Sequence, residues 1–380
     1  MRLLKIAAGL LLLLALLVGA GGWFVANTAR TKLDDARARL ASDWKAFEPR
    51  VVADEARWKA DPLFAPHPGG DAAPVLFAHV RFEKDGKPPP VPVELTEALK
   101  AAGADWAKRS ADFEVSAIDT AWMAQLGSFG WWDVEGQGTP LERRTFEVMT
   151  EPLPVFTDLQ AFAKVRLLQG LQSGSLVEAG KEVRELARLC LTNETLVGAM
   201  VGTALLGIER RAHEEAASRG LDLTGWTPIS EADQASLRNL LWAAQARHTL
   251  LAPEPLANRP FAVGECTSLR EGVGQALFLR GYLGDDLPER YASLAKTLET
   301  SSCRLRRARL AWSSTGPAAG ELPVKGSTLC LQEPGVEPTD CAVPDGVMHL
   351  PFARAFIGRT LAVIATPDWF AKYREANVTP

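Results

Sequence analysis

Five cysteines, Cys190, Cys266, Cys303, Cys330 and Cys341, are the first residues in this 380-residue sequence that could carry chemistry. None belongs to a CxxC pair, so the closely spaced ligands of a zinc site are missing and no metal is expected. In an oxidising compartment the same thiols would pair. Cys330 and Cys341 bracket a Pro/Gly turn and form the first expected bridge, with Cys266–Cys303 the second. Cys190 falls on an apolar helical face and reads as a buried, inert thiol. The histidines are His67, His79, His213, His248 and His349. His213-Glu214-Glu215 lacks the second histidine of HExxH, and all five read as loop or helix-face residues. No GxSxG and no P-loop pattern occurs, and carboxylates such as Asp119 and Asp133 have no spacing that pairs them. An active site needs a placed constellation. None is visible, so no cofactor is expected and the sequence points to no particular reaction.

The aromatic segment Phe129-Gly130-Trp131-Trp132-Asp133 is the one patch that suggests recognition. Adjacent residues of an extended segment point to opposite sides. One indole is therefore expected in the core and the other at the surface. An exposed Trp is a favoured binding anchor, and it would also stack on a sugar face. Trp131 and Trp132 are accordingly the candidate binding residues. The cluster Arg304, Arg306, Arg307 and Arg309 reads as a solvated helix face.

These residues need elements to position them, and the composition is that of a folded chain. Hydrophobic residues make up 47% and charged residues 23%, with 42 Lys+Arg against 46 Asp+Glu and a net charge of −4. A slightly acidic chain is a poor match for nucleic acid, whose affinity rests on clustered cations. At the amino terminus, residues 6–26 (IAAGLLLLLALLVGAGGWFVA) run without a charge. As a helix they would span roughly 31 Å, about one hydrocarbon core. Arg2 and Lys5 precede the run, and Trp23 and Phe24 close it at interface depth. The pattern predicts a signal-anchor in the inner membrane with the rest of the chain in the periplasm. The rival reading is a cleaved signal ending near Val18-Gly19-Ala20. Two later apolar runs, residues 196–208 and 355–366, are too short to span and read as core helices.

Behind the anchor, Leu33, Ala36, Leu40, Trp44, Phe47 and Val51 lie on one helical face, and Pro49 is expected to break or kink this stalk. Residues 61–95 are rich in Pro and Gly; DAAPVLFAHV within them fits a strand or a short helix. Helices are expected at 96–110, 116–126, 157–172, 175–191, 194–219, 231–250, 265–282, 288–300 and 301–312. Ser230 with Asp233 forms a capping box, and Gly220 ends the long run before it. The pair 157–172 and 175–191 reads as a single tetratricopeptide-like hairpin, without a repeat array. Gly198 and Gly202, four apart, fit close helix packing within the domain. Ser327–Gln332 alternates as a strand, and Thr366-Pro367-Asp368 opens a last helix.

The predicted architecture is mainly α: an anchor (1–26), a juxtamembrane helical stalk (27–60), a Pro/Gly-rich segment (61–95), an irregular helical domain of antiparallel hairpins (96–312), a loop with a small β-hairpin (313–350) and a helical end (351–380). Three stretches, DAAPVLFAHV, LVGAMVGTALLGIERRAHEE and IGRTLAVIATPDWFAKYREA, resemble segments of uncharacterised bacterial proteins with one amino-terminal membrane helix and a helical outer domain. That resemblance implies architecture and location only. The expected function is binding or scaffolding in the cell envelope, with the membrane and an envelope protein as partners and no nucleic acid. The alternative is an envelope hydrolase acting on a polymer, with Trp131/Trp132 as its substrate platform.

Overall fold

The helices between Phe156 and Ser218 arise from apolar periodicity punctuated by cap residues. The computed structural model describes residues 51–65, 67–82, 86–134 and 154–250, the positions Thr31, Ala38 and Pro49, and the segments 309–312 and 329–332; within the last long helix side chains are described through Leu241. Residues 51–59 form α1. It is followed by α2 (Ala73–His79), α3 (Val93–Ala101), α4 (Phe156–Ser173), α5 (Leu176–Leu191), α6 (Leu196–Ser218) and α7 (Glu231–Leu250). Four 3-10 stretches connect them: Pro62–Phe64, Gly103–Trp106, Ser110–Asp112 and Ala121–Ser128.

Helix α4 stops at Gly174, whose φ of 82° places it in the left-handed region that glycine adopts at no steric cost. The two-residue turn lets α5 fold back onto α4, and Val183, Leu186, Ala187 and Cys190 of α5 are all buried. Thr195 caps α6, its hydroxyl accepting from Gly198 N at 3.0 Å. A Cβ at Gly202 would stand 2.6 Å from Leu191 Cγ and 2.8 Å from the Ala187 carbonyl oxygen, so the missing side chain is what brings α6 against α5. At α7 the expected capping box is present in variant form: Ser230 Oγ accepts from Asp233 N at 3.0 Å and donates to Asp233 Oδ2 at 2.7 Å. Helix α1 docks here, with Trp58 buried and Arg57 reaching Asp233 and Ser236. The last turns of the expected stalk therefore belong to the core of the body. Among the described residues no helix is long and apolar enough to cross a membrane; residues 6–26 lie outside them.

Several expected elements differ. The helix expected over 96–110 breaks after Ala101, because Gly103 takes a φ of 56° and the chain continues as short 3-10 turns. The segment expected as a helix over 116–126 forms a 3-10 helix from Ala121, where Asp119 Oδ1 accepts from Ala121 N at 2.9 Å. The end of the helix expected over 301–312 is strand β1 (Arg309–Trp312), antiparallel to β2 (Leu329–Gln332) with Ala311 opposite Cys330. Cross-strand partners there take the backbone bonds that an i→i−4 ladder would have used. The helices expected at 265–282 and 288–300 and the carboxy-terminal helix lie outside the described residues.

Candidate functional site

Two places gather polar side chains into a defined geometry. The first is the aromatic loop, held from both sides by main-chain contacts. Gly130 N donates to Gly70 O at 3.0 Å and Ala72 N donates to Trp131 O at 2.8 Å. Asp71 Oδ1 accepts from Ala73 N at 3.0 Å and from Asp133 N at 2.8 Å, and His67 Nδ1 donates to Gly127 O at 3.0 Å. From the other side comes Arg188 of α5, only 2% exposed. Its Nη2 donates to Phe129 O at 2.6 Å, its Nη1 to Gly130 O at 3.2 Å and its Nε to Glu185 Oε2 at 2.7 Å. A buried guanidinium is tolerated when a carboxylate and further acceptors meet it, and here one carboxylate and two carbonyls do. The result is a clasp between segments 67–73 and 127–133.

The clasp decides the fate of the two indoles. Trp132 is fully buried and meets the Phe156 ring edge-on, with centroids 6.0 Å apart. That is the physical reason it cannot touch a ligand, and its candidacy as a binding residue is corrected accordingly. Trp131 is partly exposed. Cys266, Cys303, Cys341 and the side chain of Cys330 lie outside the described residues, so the two expected bridges do too. Cys190 is a free, buried thiol whose pKa is pushed well up by burial, which disfavours the thiolate a nucleophile needs.

The second place is a cleft of about 220 Å³ where α3 faces the first turns of α4, lined among others by Arg81, Val93, Glu97, Lys100, Asp158 and Lys164. Val155 N donates to Arg81 O at 2.7 Å, which brings Arg81 to the start of α4. There its Nε and Nη2 each meet one Asp158 carboxylate oxygen at 2.8 Å, a two-pronged pair with Asp158 buried. Lys100 pairs with Glu97 one turn before it on α3, at 2.6 Å. Lys164, two turns into α4, has no ion pair or hydrogen bond among the described residues. Burial lowers its pKa, and the nearby Arg211 guanidinium lowers it further. Val93, Leu99 and Ala161 contribute the apolar part of the wall.

A further polar cluster lies deeper in the body. Glu209 Oε1 accepts from Trp226 Nε1 at 2.7 Å and from Arg184 Nη2 at 2.6 Å. Burial pushes the Glu209 carboxyl up, against the opposing pull of Arg184 and of these hydrogen bonds. The cluster pins the 219–230 connection to α5 and α6, with Glu209 and Trp226 buried and Arg184 half-buried. Sequence reasoning missed the cleft. Its one legible trace is Lys164 itself, a cation inside the apolar run Phe162-Ala163-Lys164-Val165. No protein-family model, no curated protein and no solved structure matches the chain. Fold and site together define a mainly helical domain with a lateral charged cleft.

Proposed function

We propose that the chain is a single-pass inner-membrane protein whose helical body lies in the periplasm and serves as a binding or scaffolding module of the cell envelope. The observation that carries the binding half is the open cleft at Arg81, Asp158 and Lys164, where Lys164 makes no ion pair among the described residues. The anchoring half rests on the 21 uncharged residues 6–26 behind a cationic head. In this reading α4–α5 is the tetratricopeptide-like hairpin, and Cys330–Cys341 and Cys266–Cys303 pair after export. The membrane and an envelope protein are the partners, and Trp131 is the aromatic available to them. The hydrolase reading loses half of its platform with the burial of Trp132.

The test is a reporter active only in the periplasm, fused after Pro380. Signal in the membrane fraction is the expected result. A soluble product beginning near Gly21 would replace the anchor by a cleaved signal, and a silent reporter would overturn export. Crosslinking from intact membranes with mass spectrometry then identifies the partner.

A further inference from the structure

Cations in this body are matched with care. Arg81, Arg166, Arg184, Arg188 and Arg210 are the described arginines that are half-buried or buried, and each meets a carboxylate: Asp158, Glu182, Glu209, Glu185 and Glu214. Lys164 is half-buried as well and breaks the pattern. No acid approaches it among the described residues, and the charge that acts on it is another cation, Arg211 of α6. Arg211 also has no ion pair or hydrogen bond among the described residues. A partly desolvated ammonium beside a like charge is an unfavourable arrangement. An anion beside the Lys164 ammonium relieves that arrangement.

The cleft that Lys164 lines says which kind of anion. Its two acids do not compete for the lysine, because Asp158 is engaged by Arg81 and Glu97 by Lys100. One unmatched positive charge remains, which a monoanion neutralises. Val93 and Leu99 of α3 and Ala161 of α4 supply the apolar lining. The volume, about 220 Å³, is below the roughly 300–1,000 Å³ of pockets for drug-sized ligands. A small molecule with a short apolar body fits these limits, and a polymer segment does not.

We propose that Lys164 binds the carboxylate of a small organic acid whose apolar body lies along Val93, Leu99 and Ala161. This rests on reading the cleft as a binding site, and it holds wherever the chain resides in the cell. The titration below therefore fails independently of the reporter experiment. Lys164 supplies the ammonium at the wall of the cleft.

The test is calorimetric titration of the full chain in phosphatidylcholine nanodiscs with pentanoate, with empty nanodiscs subtracted. Saturable binding is expected, and pentylammonium, with the same body and opposite charge, should not bind. Lys164→Met keeps the stem and removes the charge; it should weaken pentanoate about tenfold or more, whereas Lys164→Arg should stay within about threefold of the parent. Absence of saturable pentanoate binding overturns the proposal. So does a folded Lys164→Met variant that binds as the parent does, or inorganic phosphate binding as tightly as pentanoate, which would show a bare ion site with no use for the apolar wall.

Discussion

The aromatic clasp and the α3–α4 cleft each contain a cation drawn out of water, and they treat it in opposite ways. Arg188 of the clasp is 2% exposed and has a carboxylate and two carbonyls around it. Lys164 of the cleft is half-buried and makes no ion pair or hydrogen bond among the described residues. A buried charge that is fully matched is part of the folding machinery, since removing either partner leaves the other stranded. A charge that the fold leaves unmatched beside an opening is what a ligand site requires before its ligand arrives. The sequence drew attention to the clasp because it contains two tryptophans. The balance of partners assigns it to stability, and favours the cleft in the proposed binding reading.

The sharpest way to break this contrast is to remove the two buried members of the clasp. Arg188→Met leaves Glu185 and the Phe129 and Gly130 carbonyls without their donor, and should lower the unfolding free energy by about 3–5 kcal/mol in urea denaturation. Trp132→Ala empties a fully buried indole site and should cost a similar amount, roughly 3–5 kcal/mol. Losses under about 1 kcal/mol for both, the range of ordinary surface changes, would mean that the clasp does not hold the fold.

A smaller effect is expected at Gly130. A Cβ there would fall 2.6 Å from the Gly69 carbonyl oxygen and 3.0 Å from the His67 carbonyl oxygen, both main-chain atoms that cannot swing aside. Gly130→Ala should therefore part segments 67–73 and 127–133 at a cost of about 1–3 kcal/mol, the range of overpacked sites. Hydrogen exchange of the Ala72 and Asp133 amides should accelerate with it, because both donate across this junction. Protection unchanged from the parent would show that the two segments are held elsewhere.

Trp131→Ala should do less. Its carbonyl, rather than its ring, accepts from Ala72 N, and any residue supplies that carbonyl. The expected cost is about 1 kcal/mol or less, with a drop in crosslinked partner recovered from membranes. A loss as large as that of Trp132→Ala would make the whole aromatic segment core and remove it from recognition.

Legibility followed the range of the interactions. Helices α4 to α7 could be read because their evidence is local: apolar period, the Ser230–Asp233 cap, and the glycine at 220 with its φ of 71°. The opposite fates of Trp131 and Trp132 follow from the alternation of an extended chain, although alternation alone does not say which ring goes inward. That choice is made by Arg188 and by segment 67–73, both about 60 residues away in sequence. The cleft was illegible for the same reason. Arg81 and Asp158 are separated by 77 positions, and no pattern along the chain shows that Lys164 lacks an acid while Arg166, two residues on, finds Glu182. The 3-10 stretches over 103–128 were misread as helix because propensity is a weak prior that a single left-handed glycine or a local carboxylate acceptor overrides.

The smallest expected effect has the opposite sign and tests the contrast most directly. Lys164→Met removes a charge that the ligand-free fold leaves unmatched, so the variant should be slightly more stable than the parent at neutral pH, where Arg188→Met is much less stable. Burial and Arg211 depress the Lys164 pKa in the folded state below its ordinary value of about 10.4. Below the folded pKa the lysine is charged in both states and the folded state carries the penalty. As pH rises through that value the folded-state lysine sheds its proton first and the penalty fades. Above the unfolded pKa both states are neutral and none is left. The stability advantage of Lys164→Met should accordingly be largest at neutral pH and shrink as pH is raised toward about 10, read as the difference between urea midpoints of variant and parent at each pH. Saturating pentanoate should abolish that advantage at neutral pH, because ligand binding stabilises only the parent. A parent more stable than the variant without ligand, or a difference that does not change with pH, would mean that Lys164 is already satisfied within the fold and that the cleft is no different from the clasp.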